Sequence, residues 1–85
     1  MRVEVRATGL KAMRQQNGLT QQELRRELGL SQNYICWLES GAGTPGPKVQ
    51  RQLMDYFGCD FEKLFEVFLV DPETRRETRL SQRRI

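Results

Sequence analysis

The chain has 85 residues, 38% of them hydrophobic and 29% charged, with a net charge of +3 and a pI near 9.2. That describes one globular domain, above the ~40 residues below which a fold needs disulfide or metal staples, and not a disordered segment. Two cysteines, Cys36 and Cys59, and no histidine leave a Cys/His zinc site short of ligands, and no apolar run approaches the ~20 residues of a membrane span.

The N-terminal stretch MRVEVRA alternates Val3 and Val5 with charged residues. That is a strand signature of period two over residues 1–7, not the apolar run of a signal peptide. A cytoplasmic protein with reduced thiols is expected. Thr8 is expected to cap a first helix with Leu10 and Met13 on one face. Asn17-Gly18 should stop it, because glycine takes a positive φ without steric cost.

In TQQELRRELG, Thr20 and Glu23 form a capping box, each side chain satisfying an orphan amide at the helix start. Leu24 and Leu28 share a face, and Gly29 ends the helix after about two turns. Leu30 follows, and Ser31 can cap the next helix at once. Two short helices joined by a short turn containing Gly are the helix-turn-helix signature. The third helix runs from about Gln32 to Glu39.

GAGTPGP then reads as a loop. Pro47 suits the first position of a fourth helix, where its missing N–H costs nothing. Val49, Leu53 and Phe57 repeat along that helix and Gly58 stops it. Asp60 is expected to cap a short fifth helix with Phe61, Leu64 and Phe65 on its apolar side. Beyond it, EVFLV reads as a strand, DPET as a turn and RRETRL as a returning arm. The flanking strands should pair with each other, since isolated edges are a liability. Whether they do so within one chain or across a dimer is open at the level of sequence.

The third helix has a legible polarity. Stepping 100° per residue from Gln32 puts Ile35 at about 300° and Leu38 at about 240°, which sets the core direction near 270°. Gln32, Asn33, Cys36 and Trp37 fall on the far side. That face carries amides and an aromatic instead of solvating charges. Asn and Gln bond adenine edges in the major groove, and apolar groups meet the thymine methyl. The blander reading of Trp37 is that it packs under the C-terminal segment or on a partner subunit, as a large indole usually does.

Taken together, the chain resembles the phage repressor and Cro type of DNA-binding domain, the XRE-like family. The resemblance spans about Leu10 to Phe65. It rests on Leu10, Met13-Arg14, Gly18 through Leu24, Leu28 through Gln32, Ile35, Leu38-Glu39, Gly41, Pro45, Leu53, Phe57-Gly58 and Leu64-Phe65. It implies a mainly α fold: a five-helix repressor-like helix-turn-helix domain over residues 8–66. A short strand at 1–7 and a C-terminal strand or hairpin with an Arg-rich tail at 67–85 flank it.

The resemblance also implies roles. Gln32, Asn33, Cys36 and Trp37 match base-contacting positions. Thr20, Gln21, Gln22, Tyr34, Ser40 and Lys48 are the candidate phosphate contacts, with Gln21 also bracing the recognition helix. Arg14 and Glu39 match a partly buried ion pair between the first and third helices. Two departures stand out. The family usually has Ala where this chain has Arg25, so that side chain must snorkel outward or widen the helix crossing. The family often has basic residues just after the recognition helix, and SGAGTPGP has none. The candidates for phosphate neutralisation are then Arg75, Arg76, Arg79, Arg83 and Arg84, offset by one acid, Glu77, and the blander reading of that run is a solvated basic tail.

The expected function is sequence-specific binding of double-stranded DNA, as a homodimer on a pseudo-palindromic operator and as a transcriptional regulator of repressor type. The alternative is the antitoxin of a toxin–antitoxin pair, whose C-terminal segment adds to a protein partner's sheet edge. Neither requires a metal, a cofactor or an enzymatic step. With no His, no Gly-rich phosphate loop and no paired carboxylates in view, catalysis is not expected.

Overall fold

The computed structural model describes residues 1–80. In chain order the elements are β1 (Arg2–Arg6), α1 (Leu10–Gln16), α2 (Gln21–Leu28), α3 (Gln32–Ser40), α4 (Pro47–Phe57), α5 (Phe61–Leu64), β2 (Glu66–Val70) and β3 (Glu77–Arg79). The second part of the Arg-rich tail, with Arg83 and Arg84, lies outside the described residues.

Local chemistry sets most helix ends. Thr20 Oγ1 accepts from the Glu23 amide at 3.1 Å while the Glu23 carboxylate accepts from the Thr20 amide at 2.9 Å, closing the capping box. Ser31 Oγ accepts from the Tyr34 amide at 3.1 Å and opens α3 immediately afterwards. Pro47 opens α4. At the C-terminus of α2, the Gly29 amide donates to Arg26 O and the Leu30 amide to Arg25 O. Those two bonds satisfy orphan carbonyls and require the left-handed backbone seen at Gly29 (φ 70°). The same pair of bonds closes α1 at Gly18 and Leu19. In both cases the residue after the glycine is a leucine packed against the core.

Two expected caps are corrected. Gly9, not Thr8, stands at the N-cap of α1, and no side chain caps that helix. The Thr8 hydroxyl donates instead to the Glu66 carboxylate at 2.8 Å. The reason is tertiary: the Gly9 amide is bound to Leu64 O at 2.9 Å, so α1 starts hard against α5. Asp60 does occupy the N-cap of α5 with extended backbone, but its carboxylate bonds no helix amide.

The core is a single cluster of Ala7, Leu10, Leu24, Leu28, Ile35, Leu38, Leu53, Leu64 and Phe65. Every helix contributes to it. Each fully buried aliphatic or aromatic side chain contributes about 1.5–3 kcal/mol of transfer free energy.

The strands form one antiparallel sheet in the order β1-β2-β3. Arg2 lies opposite Val70 and Arg6 opposite Glu66, while Val70 also lies opposite Glu77. The pairing that the sequence left open is thus made within one chain. On the outer edge of β1, the Val5 amide donates to Thr44 Oγ1 at 3.1 Å, so the loop after α3 closes that edge. Strand alternation separates the two faces. One carries Arg2, Glu4, Arg6, Glu66, Phe68, Val70, Glu77 and Arg79, and the other Val3, Val5, Val67, Leu69 and Thr78. On the first face Arg6 bonds Glu4 at 2.7 Å and Glu77 at 2.8 Å, and Arg79 bonds Glu66 at 2.7 Å. The Arg6 guanidinium also lies 4.8 Å from the centre of the Phe68 ring.

Candidate nucleic-acid interface

α2 and α3 pack against each other across the tight Gly29-Leu30 turn. Ile35 and Leu38 anchor α3 in the core and are buried. Asn33, Cys36 and Ser40 are exposed. Their spacing of three and then four residues puts them in one stripe down the outer face. The other two expected base readers, Gln32 and Trp37, are half-buried and drawn to opposite flanks.

On one flank a chain of polar bonds ties three helices together. Arg14 of α1 donates from Nε to Glu39 Oε2 at 2.5 Å and from Nη2 to Glu39 Oε1 at 3.1 Å. Its Nη1 donates to Leu19 O at 2.7 Å. Gln21 Nε2 donates to Glu39 Oε1 at 2.9 Å, and Gln32 Nε2 donates to Gln21 Oε1 at 2.9 Å. Cys36 Sγ approaches the same Gln21 oxygen at 3.4 Å.

The polarity of this relay follows from its charged end. A carboxylate only accepts, so Gln21 must turn its NH2 toward Glu39 and its oxygen toward α3. Gln32 must then donate, and its own buried Oε1 is left without a partner. Turning either amide round would set oxygen against oxygen.

Arg14 and Glu39 form an ion pair with side chains only 10% and 5% exposed. Burial pushes the Glu39 carboxyl up, but the hydrogen bonds from Arg14 and Gln21 outweigh it, and the net direction is down. The same bond from Glu39 raises the Arg14 guanidinium further above its ordinary value.

On the other flank, Trp37 stacks on Tyr34 with ring centroids 5.3 Å apart and planes 19° off parallel. Its other neighbour is the loop after α3: a Cβ added at Gly43 would overlap the indole Cζ2. Trp37 therefore leans on its own chain along one side. The i,i+3 spacing of Tyr34 and Trp37 was a visible signal for this stack. The Gly43 contact had no local signal.

Of the remaining candidates, Thr20, Gln22, Ser40 and Lys48 are exposed, and Gln21 and Tyr34 are half-buried. The Thr20 hydroxyl is committed to its cap, and Ser40 Oγ donates to Trp37 O at 2.7 Å. Arg25 is half-buried. In the tail, Arg79 is engaged with Glu66, while Arg75 and Arg76 are exposed in and beside the β2–β3 turn. Among the described residues no cluster of His, Cys, Asp and Glu could hold a metal ion. No helix of them is long and apolar enough to cross a membrane.

A family model of the helix-turn-helix domain matches residues 7–67, most of the chain. The chain belongs to the helix-turn-helix DNA-binding family. Its fold is similar to the crystal structure of the transcriptional regulator VanUg. The TM-score is 0.65 at 21% identity, covering 79% of this helix-turn-helix protein and 88% of that chain. No curated protein matches it. The matched span runs from Ala7 to Val67, so it begins just past β1 and ends inside β2. The other strand residues of this helix-turn-helix protein lie outside the family match.

Proposed function

We propose that this protein is a sequence-specific regulator of transcription, of repressor type, that lays α3 in the major groove of double-stranded DNA. The observation that carries the reading is the exposed stripe of Asn33, Cys36 and Ser40, uncharged and mounted on a helix held by the Arg14–Glu39–Gln21–Gln32 relay. A reader of base edges needs small polar and apolar groups at the surface and a backbone that does not rotate. In this reading Asn33 bonds a base edge, Cys36 makes apolar contact, and Gln21 braces α3. Gln22, Tyr34, Ser40 and Lys48 lie along the sugar–phosphate flanks. Gln32 reaches a base only if it releases Gln21, and Trp37 only along its free edge. The protein acts as a homodimer in the cytoplasm, on a pseudo-palindromic operator with half-sites about 34 Å apart.

Selection from random duplex DNA by the full chain tests this. One enriched motif is expected. Asn33→Ala should then lose about 1–3 kcal/mol of discrimination at a single base pair per half-site. A selection that returns no motif, or an Asn33→Ala protein that keeps full preference, defeats the reading. Operator binding should also change the fluorescence of Trp37, the only tryptophan.

A further inference from the structure

The two faces of the sheet are unequal in what they need. The charged face is satisfied within the chain, through Arg2–Glu4, Glu4–Arg6, Arg6–Glu77 and Glu66–Arg79. The opposite face is apolar, and Val5 is its one member packed against the helical core. Leu80 belongs to this face as well, since its amide bonds Val67 O at 2.7 Å and continues the β2–β3 ladder. Met1 continues the alternation of Val3 and Val5. Among the described residues the exposed large hydrophobics are Met1 (77%), Val3 (60%), Tyr56 (38%) and Leu80 (48%). Three of these four lie on this one face. An antiparallel sheet with one wet face ordinarily keeps its charges there and its apolar side chains inward.

We infer that this apolar face is a self-association surface, covered by the same face of a second copy of this chain. A two-fold axis brings a patch against itself, so the patch must be self-complementary. Met1, Val3, Leu69, Thr78 and Leu80 carry no charged side chain and meet that condition, whereas the charges of the other face are already paired within the chain. Packing is face to face and not an extension of the sheet from β1, because Thr44 already occupies the Val5 amide on that edge. The area sets the strength. Strands about 4.8 Å apart, two of five residues and one of three, give roughly 210 Å² in plan per copy, against about 800 Å² per partner in a standard stable interface. The dimer is therefore weak in isolation. If the DNA-binding reading above holds, adjacent half-sites strengthen the dimer by raising the local concentration of the second copy.

Sedimentation equilibrium of the full chain without DNA tests the face independently of that reading. A reversible monomer–dimer equilibrium is expected at concentrations up to about 1 mM, the weak end of specific association. Val3→Lys and Leu80→Lys should each weaken it about tenfold or more by placing like charges across the axis. Both sites are exposed, so melting temperatures should stay near wild type. Tyr56→Lys, off this face, should leave the association constant alone. A chain that stays monomeric to that concentration overturns the inference. So does a dimer that Tyr56→Lys weakens and the two sheet variants do not. A dimer with this pattern that binds no DNA upholds the interface and removes the regulatory reading instead.

Discussion

Replacing Arg14 by Met probes the relay at its charged end. In the native protein the Glu39 carboxylate receives two bonds from Arg14 and one from Gln21, with the two charged side chains only 10% and 5% exposed. Methionine keeps much of the apolar stem but removes the guanidinium. Glu39 is left nearly dry with a single amide donor, and Leu19 O loses its partner. Removing one member of a buried pair costs about 3–5 kcal/mol, because the other charge stays uncompensated. That is a large part of the ~5–15 kcal/mol that holds a domain together. At about 4–8 °C per kcal/mol for a domain of this size, the melting temperature should fall by at least ~12 °C. The double variant Arg14→Met/Glu39→Leu removes both charges, leaves only the Gln21 amide and Leu19 O unpaired, and should be more stable than Arg14→Met alone. Urea denaturation at neutral pH, followed by circular dichroism across the full double-mutant cycle, measures this. A cost below about 1 kcal/mol for Arg14→Met would place the pair with screened surface bridges. Additive losses in the double variant would show that the two residues do not act through each other.

Two glycines should resist alanine to different degrees. At Gly43 the added methyl meets the Trp37 ring, which can shift, so a loss of about 1–3 kcal/mol is expected together with a red-shifted tryptophan emission. At Gly9 it meets the backbone carbonyl of Lys63, which cannot move aside without parting α1 from α5, so the loss should be larger. Thermal melts that rank the two the other way would contradict the packing described. Acid should also destabilise the fold. Arg6 holds the Glu4 carboxyl below its ordinary 4.5, the Thr8 hydroxyl does the same for Glu66, and the relay does so for Glu39 against the opposing effect of burial. In each case the unfolded chain takes up the proton first. Their contribution is fully present above pH ~4.5 and is lost as pH falls from there through the lowered native values. The urea midpoint should be nearly flat between about pH 6 and 8 and drop below pH ~4.5, and Glu39→Gln should shallow that drop. An unchanged midpoint at about pH 3.5 would remove these carboxylates from the account of stability.

The sequence by itself determined where most helices begin and end, and so the helix-turn-helix. Thr20 with Glu23, Ser31 with the Tyr34 amide, and the glycines at 18 and 29 all act over two to five residues of chain, so their partners are written beside them. The core face of α3 was equally legible, since Ile35 and Leu38 share one side of a 3.6-residue repeat. The Arg14–Glu39 pair was implied by the family resemblance, not by local spacing. Only the tertiary structure decided what lies across larger separations. Thr8 gave up its cap because Glu66, 58 residues on, came within reach of its hydroxyl. Gln32 and Trp37 sit at the margins of the outer face, where a helical wheel cannot choose between solvent and a neighbour. The choice fell to Gln21 on one side and to the loop at Gly43 on the other. The sheet is the extreme case. Alternation marks a strand and its two faces, but which strand it pairs with, and which face is left open, depend on how the helices between them fold back.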